Sequence, residues 1–179
     1  MTKKSKTSNK KFNFQTEDKI LSILFFTSNC LTVWGITIYQ LTIIEPKYLF
    51  ATITFGIIIG FVVLSLLIKS SYSIFWNFLI YAAISSGLVY FAFLFTNQQF
   101  ADKELQREEF LIIGKGTLGR GKKSSCSQPY VNIDFYGIEK QLVFYCQFAD
   151  TIEHSTKVDL TYSKGLFGFI IIKSKQLTD

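Results

Sequence analysis

The sequence predicts a three-helix membrane unit followed by a small antiparallel β-barrel or sandwich, and three observations carry that prediction. Residues 20–44, 48–68 and 70–101 contain no Asp, Glu, Lys or Arg. The links between these runs are too short for anything but antiparallel neighbours. After about residue 109 the spacing of apolar residues falls from a helical period to two, the mark of half-buried strands.

Each run reaches the roughly 20 apolar residues that a helix needs to cross a hydrocarbon core of about 30 Å. A charge at the centre would add about 2.5–3.5 kcal/mol to insertion, so charge-free runs of this length point to lipid. The helices are expected at about 20–44, 48–68 and 73–96, within a unit covering 20–97. The first run exceeds the roughly 7–15 residues of a signal-peptide core and no small-residue cleavage site follows it, so it reads as a span. Glu45-Pro46-Lys47 turns the chain into the second run, because Pro46 cannot continue the first helix.

Orientation follows from basic residues, which stay on the cytoplasmic side. Residues 1–19 form a basic tail with Lys3, Lys4, Lys6, Lys10, Lys11 and Lys19, and Lys69 falls on the same side. The other side holds Lys47, Lys103 and Arg107, offset by Asp102, Glu104, Glu108 and Glu109. The amino terminus is therefore expected in the cytoplasm and the carboxyl-terminal domain outside, in a multi-pass protein of the cytoplasmic membrane. The tail is expected to rest near anionic headgroups and not to bind nucleic acid.

No ionisable residue falls within the spans, where transport or intramembrane chemistry usually needs one. Asn29 is the costliest polar group there and is expected to donate an interhelical hydrogen bond. Gly56 and Gly60, four apart, and the pair Ala83 and Gly87 make strips on which another helix can pack closely. Tyr39, Tyr48, Tyr72 and Trp76 suit an interfacial belt.

Residues 98–108 read as a stalk and 109–179 as a β-domain of about five strands. Val131, Ile133 and Phe135 alternate with polar residues, and Gly137 marks a turn. Leu142, Phe144, Cys146 and Phe148 continue the pattern, then Val158 and Leu160. Ser163-Lys164-Gly165 turns the chain into a last strand beginning at Leu166. The segment GKGTLGRGKKSS, residues 114–125, fits a dinucleotide fingerprint and nearly fits a P-loop. Between Leu118 and Tyr130, however, no aliphatic or aromatic residue could form the buried face of the helix that a pyrophosphate site needs. No nucleotide is expected. The segment reads as an exposed hairpin loop whose Arg120, Lys122 and Lys123 are candidate contacts for headgroups or an acidic partner.

His154, the only histidine, lies in a polar link, and no zinc-ligand or paired-carboxylate spacing appears. No catalytic residue, metal or cofactor is expected, and the protein is read as non-enzymatic. Cys126 and Cys146 are candidates for a disulfide, with Cys146 equally suited to a core. Tyr130, Tyr136, Tyr145 and Tyr162 are candidate contact residues on the strand edges.

The stretches KGTL, PYVNIDFYGIEKQLVFY and KVDLTYSKGLFGF resemble a β-domain of several uncharacterised bacterial membrane-protein families, over roughly the last 65 residues. That resemblance implies a few helices carrying a small β-domain outside, and no activity. The expected function is a β interaction module at the outer face of the cytoplasmic membrane. It would serve as an accessory subunit of an envelope complex or as a toxin-immunity protein, with the bilayer and a membrane or envelope protein as partners. A subunit of an oligomeric channel or transporter is the alternative.

Overall fold

The computed structural model describes residues 7–68, 73–119 and 127–178, with backbone alone for 7–18. The chain forms two units. One holds the residues up to Thr37 together with Pro46–Phe95, and the other holds Ile38–Glu45 together with Thr96 onwards.

The first unit is built on three helices, α1 Thr7–Gln40, α2 Pro46–Leu67 and α3 Ile74–Gln99. Each contains a stretch long and apolar enough to cross a membrane, Lys19–Gln40 in α1 and the whole of α2 and α3. Phe26, Val33, Leu66, Leu67 and Ile74 are exposed, so much of the apolar surface is not used in contacts between helices. α1 starts at Thr7, well inside the predicted tail, and α2 starts on Pro46, a position where the missing N–H costs no intrahelical bond.

Close packing falls on the small residues. A Cβ on Gly56 would sit 2.7 Å from the Cβ of Val89, and one on Gly60 would overlap the Ser85 side chain. α2 therefore lies against α3 through this strip. Gly87 faces Ser28 and Thr32 of α1, where an added Cβ would again collide. Ser28, fully buried, donates to the Ile84 carbonyl at 2.7 Å and more weakly to that of Ala83 at 3.4 Å. The expected interhelical bond thus comes from Ser28. Asn29 is exposed and donates to Phe25 one turn back in its own helix at 2.7 Å, because its longer side chain points away from the α1–α3 contact. Trp34 packs on Phe91, ring centres 5.2 Å apart.

The second unit is an antiparallel sheet of six strands curled nearly into a barrel, in the order β1-β6-β5-β2-β3-β4. The five expected strands become six. The addition is β1, Thr42–Ile43, which follows α1 and pairs with Ile171 and Ile170. The other strands are β2 Gln106–Thr117, β3 Pro129–Phe135, β4 Ile138–Val143, β5 Lys157–Lys164 and β6 Ile170–Thr178. The predicted stalk is mostly short: α3 runs to Gln99 and β2 begins at Gln106. The chain leaves the sheet after Val143, so Cys146–Phe148 form a 3-10 turn and Ala149–His154 a short helix, α4, that replaces the expected polar link. Ile152 of α4 is buried in the core, which explains why a polar segment takes up a helix there.

The core joins Phe110, Val131, Ile133, Phe135, Leu142, Val158, Leu160 and Ile172 with Ile43. The first half of β2 pairs with β5 and the second half, from Ile112, with β3, and a bulge at Ile113 interrupts the start of the β3 ladder. An extra residue of this kind bends the strand and lets one sheet wrap round a core. The edge strands are β4 and β1. Lys140 of β4 reaches towards β1, donating from Nζ to the Thr42 carbonyl at 2.7 Å and the Tyr39 carbonyl at 3.1 Å, with Nζ 4.9 Å from the Tyr39 ring centre. Lys175 of β6 donates to the Val143 carbonyl and lies 4.7 Å over the Phe144 ring. Burial, with Lys175 nearby as a second cation, lowers the Lys140 pKa to about 8. Burial also lowers that of Lys175.

Two outcomes follow. Gly60→Ala should destabilise the protein by about 1–3 kcal/mol through overpacking, and Ser85→Gly should recover part of that loss, read by thermal unfolding in detergent. For Lys140, the folded pKa of about 8 lies below the ordinary 10.5. Between these values the unfolded chain binds more protons, so stability rises with pH. The stability of the wild type relative to Lys140→Met should therefore increase from pH 8 to 10.5 and stay level below pH 8, measured by the same unfolding experiment.

Candidate interaction face

The alternation of β2 sorts its side chains to two sides. Phe110 and Ile112 contribute to the core, while Arg107, Glu109, Leu111, Ile113, Lys115 and Thr117 are exposed. The outward row begins with charges set diagonally across β2 and β5. Arg107 Nε donates to Asp159 Oδ2 at 2.6 Å, and Lys157 Nζ lies 3.1 Å from Glu109 Oε2. The bond to Asp159 raises the Arg107 pKa. Further along, Lys115 Nζ donates to the Glu153 carbonyl at 2.9 Å. Between these polar groups stand two apolar residues, Leu111 with 67% and Ile113 with 57% of its surface exposed. The bulge leaves Ile113 without a register partner on β3.

The turn joining β3 to β4 completes the face. Tyr136 and Gly137 both have positive φ, 51° and 87°, as a two-residue hairpin turn requires. The glycine adopts that conformation freely, but for a tyrosine it is uncommon and strained. Asp134 Oδ1 accepts from the Gly137 N–H at 2.7 Å and holds the turn. The Tyr136 ring meets Phe135 and Phe110 edge-on, with centres 5.0 and 5.9 Å apart. Its hydroxyl donates to the Glu108 carboxylate, 2.6 Å from Oε2 and 2.7 Å from Oε1. Tyr162 donates to the same Oε2 at 3.0 Å.

Glu108 is therefore a carboxylate held by two phenols. Its bond raises the Tyr136 pKa above the usual value. Tyr162 is pushed up to about 12, first by burial and then by the Glu108 bond. Together, Glu108, Glu109, Leu111, Ile113, Asp134 and Tyr136 line an open groove. The groove offers an apolar floor, a fixed aromatic ring and acidic margins.

The residues singled out from sequence fall in different places. Tyr136 stands on this groove. Tyr162 is a correction: it is 5% exposed and belongs to the core, because it shares the side of β5 that holds Val158 and Leu160. Tyr130 is half-buried, with its ring over Gly116, leaving no room for a side chain there. Tyr145 is exposed after β4, at 76%. Gly114 and Gly116 lie within β2, in register with Asn132 and Tyr130. His154 ends α4 and is exposed. Cys146 is disulfide-bonded and Cys30 is free, while Cys126, Arg120, Lys122 and Lys123 lie outside the described residues.

Sequence reasoning missed Glu108, which it counted only in a charge balance, and the pair Leu111 and Ile113. Their signal was present: apolar residues occupy both parities of EEFLIIG, so one set had to face outward. No protein-family model, curated protein or solved structure matches the chain.

Glu108→Gln should separate the two tyrosines. The Tyr136 pKa should return towards its usual value, whereas Tyr162 should stay raised because burial is its larger cause. Ultraviolet titration of phenolate, with Tyr136→Phe and Tyr162→Phe to assign the steps, measures both.

Proposed function

We propose that this chain is a non-enzymatic integral membrane protein whose β-unit docks a basic, apolar segment of an envelope protein partner. Its three apolar helices anchor it in the cytoplasmic membrane. The lysine-rich amino terminus stays inside, as basic flanks do, and the β-unit stands at the outer face. In this position it serves as an accessory subunit of an envelope complex.

The observation that carries the reading is the exposed pair Leu111 and Ile113 beside the pinned ring of Tyr136. Large aromatic and aliphatic side chains fixed before binding lose little conformational freedom on contact, which is the property of interface anchors. The ring of Tyr136 is held by two aromatic neighbours and its hydroxyl by Glu108. Glu108 and Asp134 place carboxylates at the margin, which favours a partner carrying Lys or Arg and disfavours an acidic one. Charge on an exposed margin acts over about 8–10 Å at ordinary ionic strength, so it steers encounter more than it sets affinity.

The test is mild cross-linking in native membranes, followed by purification of the tagged full chain. The wild type should retain a partner whose recovery falls as salt rises. Leu111→Arg with Ile113→Arg should lose it, while Gln141→Arg, an exposed change on β4, should keep it. Equal recovery with all three proteins, or a partner held regardless of the double change, overturns the proposal.

A further inference from the structure

At the carboxyl-terminal end of α3, Asn97 is completely buried. Its carbonyl accepts from the Leu166 N–H at 3.3 Å, its Oδ1 from the Phe167 N–H at 3.0 Å, and its Nδ2 donates to the Phe169 carbonyl at 3.4 Å. Gly165 lies so close to the Asn97 amide that a side chain on it would overlap. A second tie runs from the Asp102 N–H to the Lys164 carbonyl at 2.8 Å. The turn between β5 and β6, residues 165–169, is thereby clamped to the last turn of a helix.

That helix sets a level. α3 has 26 residues, about 39 Å at 1.5 Å per residue, against a hydrocarbon core of about 30 Å. Asn97 lies two residues before the helix end, within about 3 Å along the axis. A spanning helix of this length carries Asn97 into the headgroup layer, and the clamp carries the turn with it. The side chains there suit that layer. Leu166 is 54% exposed, Phe167 47%, and Phe100, directly after the helix, 64%. Aromatic and aliphatic groups at a headgroup boundary bury apolar surface while the backbone remains hydrated. Lys103 and Lys164 nearby are offset by Asp102 and Glu104, so the contact is apolar and does not need anionic lipid.

We propose that the β5–β6 turn, through Leu166 and Phe167 with Phe100, is a foot that rests in the interfacial layer of the bilayer. This rests on the membrane-spanning reading of the three helices. A clamped foot gives the β-unit a second hold on the membrane besides the chain itself.

The test uses the full chain with Cys30→Ser in phosphatidylcholine vesicles, carrying one spin label at Leu166→Cys, Ile59→Cys or Glu153→Cys. Ile59 lies midway along α2 and Glu153 is exposed on α4. The readout is the ratio of collisions with oxygen to collisions with a water-soluble nickel chelate. The ratio should be highest at residue 59, lowest at 153 and several-fold above 153 at 166. A label at 166 that matches 153 while 59 is deep overturns the foot alone. Aqueous behaviour at 59 as well overturns the spanning reading and the foot with it.

Discussion

The β-unit depends on how its sheet is closed, and a lysine does the closing. β1 is two residues long and can offer β6 only a short ladder. Its outer edge faces the seam to β4, where Lys140 donates to two carbonyls of the Tyr39–Thr42 segment. A half-buried ammonium without a carboxylate partner is costly, and burial is the first cause of its lowered pKa. It is tolerated because its donors meet carbonyls and its charge meets the Tyr39 ring, a contact worth about 0.5–2 kcal/mol. The neutral amine keeps two N–H groups, enough for both carbonyls, so loss of the proton relieves the burial cost and keeps the bridge. Lys175 repeats the device at Val143 and Phe144. Ile43, Leu142 and Phe144 are enclosed behind this seam. One strand of the sheet comes from between the first two apolar helices and five from the part of the chain after α3, so the core assembles only after a long loop closes.

What the sequence made legible follows from length and period. Charge-free runs longer than 20 residues and strict alternation over 131–135 are signals that tertiary context seldom overrides. Two residues have no period, so Thr42–Ile43 was invisible as a strand, although both are β-branched. Lys140 was visible in part, since it shares the parity of Ile138 and Leu142, but parity names a side and not a partner. Tyr162 was misread against its own parity with Val158 and Leu160. In the helices, amide polarity pointed to Asn29, whereas the interhelical bond comes from Ser28. The smaller side chain lets the backbones approach, and the carbonyl of Ile84 then lies within reach. α4 was unreadable because only Ile152 marks its buried side.

The candidate face was legible as composition and not as geometry. EEFLIIG shows that some apolar side chains must be exposed, but the bulge that leaves Ile113 unpaired appears only in the register. The fixation of Tyr136 has the same character. A positive φ at a tyrosine is strained by itself, and it persists because the Asp134 turn bond, two ring contacts and the Glu108 bonds together hold it. Glu108 accepts phenols and leaves its negative charge uncancelled by any neighbouring Lys or Arg in those bonds. A cation at that position would have neutralised the groove, whereas two tyrosines order the carboxylate and keep its sign.

The proposed face and the proposed foot constrain each other through β2. The strand starts at Gln106, seven residues after α3 ends. Leu111 and Ile113 lie five and seven residues further, at most about 23 Å along a strand rising about 3.3 Å per residue. If the β5–β6 turn rests in the interfacial layer as proposed, the groove stays within reach of that layer. A soluble partner would have to enter a narrow layer above the lipid. A partner that is itself a membrane protein already occupies that layer, and its basic, apolar juxtamembrane segment has the chemistry the groove accepts. Confinement of both proteins to one plane raises their effective concentration, so a shallow contact of modest area suffices. On that proposal the exposed groove is better suited to a membrane neighbour than to a freely diffusing protein.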